Sequence, residues 1–550
     1  LLLQRGVRRR MPRMKSIVPL LSIIALGFGL LGCPGNGGSG DSTPAFAVST
    51  TAADFGVDSN LYTSTLAATG GTAPFTWTVF ISSVLPNGLL LNGNTGVVSG
   101  TPTSVGNFDV TFTVADSTGQ TATGSVLFAI HPRTDLLSVN NSVPPVPGSS
   151  ASSEPSISGD GRIVAFASLA GNLSSGGVGS QIYVHDWQTN QTTLISRNGA
   201  TTLPTGGNGG STDPSISSDG RYVAFVSNAT NLLPAGSPTV TGQQIYVHDR
   251  QLGVTSLVSI NDSGAPATAG SINISPSVNG NGRFIAFVSD ATNLGATGTQ
   301  VYLRDTQVGG QTILISKNND PIPIQGNGDS DAPSISNDGC FVAFPSASTN
   351  LGDLVANQIY VRGPLAIASC AGTEQTSLVS RSTSGVTSNG LVNSSPAVNG
   401  NGRFIAFVSD ATNLGASGTQ VYLRDTQGGG ETILLSKDNG IPTPGNGISA
   451  TPSISSDGCF VAFVSTSTNL GAPANQIHAR GPLAIAGCVG TEQTSLVSKD
   501  SSGNPANGGA GSTVDPTVSG NGQFIAFSSL STNLISPPPG NRQIYVRALP

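Results

Sequence analysis

The sequence predicts an all-β protein, a small antiparallel sandwich followed by a seven-bladed β-propeller whose ring is closed by a strand from its N-terminal end. Three observations predict it. A turn-and-strand element of the form "SDGRYVAF" (218–225) recurs seven times at a period of about 60 residues. Gly (72) and Pro (35) are abundant among 550 residues and charged residues make up only 9%, with no long apolar 3.6-period stretch beyond the extreme N-terminus. The strand at the centre of each repeat is apolar on both faces, as a sheet stacked between two others requires.

Composition also sets exclusions. The net charge is −6 and no basic block occurs, which argues against a surface that tracks nucleic-acid phosphates.

At the N-terminus, Lys15 is followed by the apolar run Ile17–Leu31, then Gly32 and Cys33. That run is short for a membrane span and suits a secretory signal, so residues 1–32 are expected to be a signal peptide starting at Met11 or Met14. The ending "LLGC" resembles a bacterial lipobox, which implies acylation of Cys33; an ordinary cleaved signal is the alternative. Several acyl chains give stable anchoring, since each buried CH₂ contributes ~0.8 kcal/mol. Pro34 rather than Asp follows Cys33, and by resemblance to bacterial sorting patterns this implies the outer membrane. Residues 33–43 are expected to form a flexible tether, in which the ten residues "PGNGGSGDST" (34–43) would span about 17–19 Å.

Residues 44–131 are expected to form the sandwich. In "FDVTFTV" (108–114) Phe108, Val110, Phe112 and Val114 face one side and Asp109, Thr111 and Thr113 the other, the pattern of a half-buried antiparallel strand. "ADSTGQTA" turns the chain into "GSVLFAI", and "PFTWTVF" (74–80) is another strand. The segment 85–108 carries Leu85-Pro86-Asn87-Gly88-Leu89, Thr95-Gly96-Val97-Val98-Ser99-Gly100-Thr101-Pro102 and Gly106. It resembles the Ig-like repeats, related to cadherin-type modules, of bacterial surface proteins, which implies an Ig-like β-sandwich. Some cadherin-like relatives bind calcium between modules. With one copy and no clustered acidic motif here, calcium is a minor expectation and no other cofactor is expected; Asp116 reads as a turn residue.

From Thr134 to Pro550 the repeat takes over, at 159–166, 218–225, 280–287, 337–344, 400–407, 456–463 and 520–527. Each period reads as four strands: A ("PSIS"), B ("VAF"), C ("QIYVHD" or "QVYLRD") after an "S-x-x-T-N-L" bend, and D ("TSLVS"). The D-G and N-G pairs supply the positive φ that tight hairpins need. Ala165, Ala224, Ala286, Ala343, Ala406, Ala462 and Ala526 let neighbouring sheets approach, and the following Phe fills the wider gap. The seventh unit ends in strand C, while the orphan "TDLLSV" (134–139) matches strand D, so the first strand should complete the last blade. The stretch 279–307 recurs at 399–427, the mark of a two-blade duplication. The pattern "PSISSDGRYVAFVS…QIYVHD" resembles the WD-like propeller repeats of the TolB type over about three-quarters of the chain. That resemblance implies the fold and a binding role.

Cys340, Cys370, Cys459 and Cys488 stand at spacings of 30 and 29 in near-identical contexts. A zinc site is the alternative to disulfides, but no CxxC or nearby His pair accompanies them. A–B turns and C–D connections share one end of a blade, which brings Cys340 to Cys370 and Cys459 to Cys488. The opposite end carries long loops such as 196–213 and 228–243, the expected binding face. Glu154, Asp213 and Asp515 should line the channel mouth on neighbouring blades and are weak metal candidates, with solvated acids the plainer reading. Strand C ends in His185, His248, Arg304, Arg362, Arg424, Arg480 and Arg547, expected to cap strands or pair with Asp186, Asp249, Asp305 and Asp425.

No G-x-S-x-G elbow, P-loop or dinucleotide fingerprint is present, so catalytic residues are not expected. The leading expectation is a non-catalytic, lipid-anchored envelope protein, exported and facing the periplasm or the surface, whose propeller binds another envelope protein. A carbohydrate-binding or adhesive surface protein is the alternative, although the loops hold almost no Trp or Tyr for stacking on a glycan. An enzyme with its site in the channel comes third, because fold alone does not settle function.

Overall fold

The computed structural model describes residues 44–173, 177–199, 205–366, 370–427, 429–440, 443–473, 475–484, 488–507 and 513–549. The expected signal segment, Cys33 and the tether lie outside them. All named elements are β-strands except two short 3₁₀ turns.

The sandwich grows from the alternation read above. Gly106–Ala115 pairs in register with Thr121–His131, and Val110, Phe112, Val114, Val126 and Phe128 are fully buried. Thr76–Val79 and Gly56–Val57 flank this hairpin to complete one sheet, and Tyr62–Thr65, Val97–Gly100 and Leu89–Asn92 form the other. Asp116 accepts hydrogen bonds from the Thr118, Gln120 and Thr72 amides at 2.9, 2.9 and 3.0 Å, as a turn residue should.

Seven four-stranded antiparallel sheets follow. In six the order is A-B-C-D along the chain; in the seventh, Thr134–Leu136 pairs with Gln543–Ala548 as the fourth strand. Closure by the N-terminal strand is therefore observed. Strand B is buried on both faces in every blade, and the Ala and Phe of each "AF" pair are wholly buried. The turn glycines Gly161, Gly220, Gly282, Gly339, Gly402, Gly458 and Gly522 all take positive φ. They also let blades meet closely: a Cβ on Gly282 would fall 2.1 Å from Tyr222 of the preceding blade, and one on Gly402 2.1 Å from Phe341.

Recurring polar residues tie each blade together. The Gln opening strand C accepts a hydrogen bond from the Ser ending strand D, for example Ser196 Oγ to Gln181 Oε1 at 2.7 Å. The pair Ser138 and Gln543 repeats this bond at 2.5 Å across the closure. The "TNL" motif has a similar purpose. Asn208, Asn327, Asn389, Asn446 and Asn507, in the D–A loops, each donate to the motif's Thr hydroxyl at 2.9–3.0 Å. Both disulfides form, Cys340–Cys370 and Cys459–Cys488, each with Cα atoms 5.6 Å apart.

Blade four departs from the others in strand A, which shrinks to Ser334–Ile335. Its strand B carries Pro345 where the other blades have a residue with an N–H, and the missing donor shortens the ladder.

Only Pro132 and Arg133 separate the last sandwich strand from the closing propeller strand. The sandwich docks on the end of the propeller that carries the A–B and C–D turns, across the seam between blades seven and one. Phe55 packs between Trp187 of blade one and Phe524 of blade seven, with ring centroids 5.1 and 5.4 Å away. Trp187 is fully buried and donates from Nε1 to Asp135 at 2.8 Å. Gln188 donates to the Ala53 carbonyl and Asn60 to that of Leu549, at 2.8 and 2.9 Å.

Candidate functional site

Strand A is the innermost strand of each blade and contacts strand A of its neighbours, so its residues line the central channel. The two ends of that channel differ in construction.

At the sandwich end the A–B turns join in an unbroken ring of backbone hydrogen bonds. Gly159 donates to Ser218, Asp219 to Gly280, Gly280 to Asn337, Asp338 to Gly400, Gly400 to Ser456, Ser456 to Gly520 and Asn521 to Gly159, at 2.8–3.2 Å. The innermost positions are thus Gly159, Ser218, Gly280, Asn337, Gly400, Ser456 and Gly520. Glycine alternates with a side chain because there is no room for seven. A Cβ on Gly159 would fall 2.1 Å from Ser218 Oγ, and one on Gly520 2.6 Å from Ser456 Oγ. Asn337 Nδ2 reaches Ser456 Oγ at 2.5 Å across the intervening blade, a measure of how narrow the axis is here.

Towards the other end, strand A bulges in six blades, at Glu154, Asp213, Ser275, Ser395, Thr451 and Asp515, and Ala332 takes the matching place before the short strand A of blade four; φ lies between 33° and 58° at all seven. Each precedes a proline, which bars the right-handed helical region; the left-handed region is costly for any residue but Gly. Neighbouring blades hold this conformation in place. Glu154 Oε2 accepts from the Asp213 amide at 2.7 Å, and Asp213 Oδ2 from the Ser275 amide at 2.9 Å. One step further in, Ser156, Ser215, Ser277, Ser334 and Ser453 accept from an amide of the next blade at 3.0–3.2 Å.

The three acids expected at the channel mouth therefore occupy one region, inside strand A at the bulge rather than at its entry. Burial, and then the charge of Glu154, push the Asp213 carboxyl up to about 6, against the Ser275 amide. Asp515 is raised by burial and by Glu154, with Arg542 and the Ser528 hydroxyl opposing. No group of three or more His, Cys, Asp or Glu suited to a metal occurs among the described residues. Glu154 and Asp213 act on the backbone of the next blade.

A raised acid binds more protons folded than unfolded, so Asp213 lowers stability as pH rises from about 4 through 6. Asp213→Asn keeps an oxygen for the Ser275 amide and removes the charge. It is expected to stabilise the protein by about 2–3 kcal/mol at pH 8 and hardly at all at pH 4, measured as melting temperatures of both proteins at the two pH values.

The basic row at the end of strand C is placed differently from expectation. Asp186, Asp249, Asp305 and Asp425 pair with the turn residues Arg162, Arg221, Arg283 and Arg403, each through two hydrogen bonds or more at 2.6–3.2 Å. A carboxylate at the mouth of a hairpin meets the turn Arg directly, while the strand-C residue beside it points into the sheet stack. There Arg362, Arg424, Arg480 and Arg547 are buried against the neighbouring blade. Arg547, for instance, donates to Thr134 Oγ1 and to the carbonyls of Lys499 and Asp500. His185 is buried and held neutral, its pKa lowered to about 4 by burial, with Nδ1 3.0 Å from Thr192 Oγ1.

Sequence reasoning missed Trp187 and Phe55, which join the two domains. One signal was available: blades two, three and five follow the strand-C Asp with Arg250, Thr306 and Thr426, and only blade one has an aromatic there.

Fold and site together define a closed seven-bladed propeller with a docked sandwich, its channel narrowed at the sandwich end and acid-lined towards the other. Residues 40–131 match the family described as Putative Ig domain (He_PIG). No curated protein matches the chain. Among solved structures, a prolyl endopeptidase is similar at 11% identity and TM-score 0.40, over 72% of this chain and 50% of that one. This chain thus spans about half the length of that enzyme. The periplasmic gluconolactonase PpgL of Pseudomonas aeruginosa is similar at 14% identity and TM-score 0.31, over 67% of this chain and 92% of that one. A Bacteroides thetaiotaomicron protein of unknown function is similar at 10% identity and TM-score 0.32, over 92% of this chain and 99% of that one.

Proposed function

We propose that this is a non-catalytic, TolB-type propeller protein of the bacterial envelope, anchored through Cys33 to the outer membrane, and that its long-loop face binds another envelope protein. The observation that carries this reading is the construction of that face. Five D–A loops are each tied to the adjoining bend by an Asn–Thr bond, and positions held before a partner arrives lower the ordering cost of association. Exposed aliphatic side chains, Leu169, Ile272, Val392, Ile448 and Leu530, flank strands A and B around the mouth. The sandwich occupies the opposite face and leaves the mouth uncovered. Engagement of Glu154 and Asp213 with backbone amides favours a structural over a catalytic use of these acids. The disulfides fit an exported protein.

The test places a photocrosslinking residue at Ile448, on the mouth, or at Val308, in an exposed C–D turn of the opposite end, in the full chain within native envelopes. A protein adduct is expected from Ile448 and not from Val308. Adducts from Val308 alone, or from neither site, would overturn the reading.

A further inference from the structure

Two of the joints between blades share one electrostatic arrangement, and the joint of blades four and five carries a matching pair of cations without it. Between blades three and four, Glu374 Oε1 accepts from Arg362 Nε at 2.8 Å and lies 3.4 Å from Lys317 Nζ. Between blades five and six, Glu492 Oε1 accepts from Arg480 Nε at 2.6 Å and lies 3.4 Å from Lys437 Nζ. Two cations share one carboxylate in each. Between blades two and three the strand-C residue is Arg304, the residue of blade two matching Lys317 is Ile260, and Asp262 accepts from the Thr312 amide at 2.7 Å. That joint has one cation and one carboxylate.

The joint of blades four and five holds Arg424 and Arg381, with Gly430 where blade four has Glu374 and Thr383 where blade two has Asp262. The Thr383 hydroxyl takes the Thr432 amide at 3.1 Å, as Asp262 does for Thr312. Arg424 is 4% exposed, and its Nη1 donates to Thr432 Oγ1 and the Ser382 carbonyl at 3.0 and 3.3 Å. Its Nε and that of Arg381 are buried without any hydrogen-bond partner. The neighbouring Asp425 is held by Arg403 at 2.8 Å, and Glu431 is exposed and forms no ion pair with either. Two guanidinium groups with unmet buried donors are costly unless an acceptor reaches them. In the joints of blades three and four and of blades five and six, a carboxylate meets the equivalent Arg Nε.

We propose that Arg381 and Arg424 form an anion-binding site that takes one carboxylate-sized monoanion from outside the chain, either a free ion or the acidic side chain of a partner. The planar donor edge of a guanidinium favours a carboxylate, and a halide can occupy the same position. The half-buried Arg381 gives the route from solvent.

The test uses the full chain and Thr383→Asp, which restores the carboxylate that blade two supplies as Asp262. Crystals soaked in sodium bromide are expected to show an anomalous peak between the two guanidinium groups in the wild type and none in a variant that melts normally. In solution, sodium acetate should raise the wild-type melting temperature by ~1–2 °C more than that of the variant. A blocked Glu tripeptide at the same concentration separates the sources: an equal rise marks a free ion, and a larger one an acidic side chain. A peak persisting in Thr383→Asp marks an adventitious ion only. That result, or absence of the peak with equal responses to acetate, overturns the proposal.

Discussion

Replacing Cys340, Cys370, Cys459 and Cys488 together by Ser is expected to lower the stability of the propeller by about 3–4 kcal/mol for each bridge lost. Each bridge closes a loop of 30 or 29 residues. Without it the unfolded chain regains the freedom of that loop, while the native blades keep their ladders. For a cooperative unit of this size, losing both bridges should reduce the melting temperature by about 5–10 °C. Calorimetry with and without a reductant checks it: the wild type should fall to the variant's value on reduction, and the variant should not respond. A reductant-insensitive wild type with an unchanged variant would show that the bridges contribute nothing. Blades four and six carry the long connection from Gly363 to Gln375 and from Gly481 to Gln493, so the bridges act where most residues separate strand D from strand C.

Trp187→Ala should have an effect of similar size at one position, a loss of about 3–5 kcal/mol. The side chain is fully buried, contacts Phe55, His131 and Phe524, and holds Asp135 of the closing strand. The damage should be local in a particular way. Thr134–Leu136 and its partner Gln543–Ala548 should lose protection from hydrogen exchange, whereas strands in blades three to five should keep theirs. The reason is that Phe55 reaches residues on both sides of the seam, where no covalent connection joins the last blade to the first except through the sandwich-linked strand. Uniform loss of protection over all blades would count against that reading.

The architecture was legible because each blade repeats the same local chemistry. "DGR-x-V-A-F" states a positive-φ turn, a doubly buried strand and a small residue at the sheet contact, and the unmatched "TDLLSV" states the closure. The pairing of Cys340 with Cys370 followed from the shared end of adjacent strands. The site was less legible. That Glu154 and Asp213 are neighbours could be read from the ring, but that they accept amides from the next blade depends on a bulge whose left-handed backbone no propensity indicates. The destiny of Arg424 or Arg547 depends on the blade before it, some fifty residues away for the Lys499 carbonyl. Adjacency in sequence to Asp425 misleads, because alternate residues of a strand face opposite ways.

The alternation of Gly with Ser or Asn around the channel axis also sets the unit in which this chain could lengthen. A segment copied into the ring must begin and end in step with that alternation, and the shortest such segment is two blades, one with a bare turn and one with a side chain. The near-identical stretches 279–307 and 399–427 stand two blades apart, in step with it. Seven being odd, the alternation must slip once, and it slips between Gly520 and Gly159. The single mismatch in the ring's arithmetic thus falls beside the blade that Thr134–Leu136 completes, the only one built from two distant parts of the chain among the described residues.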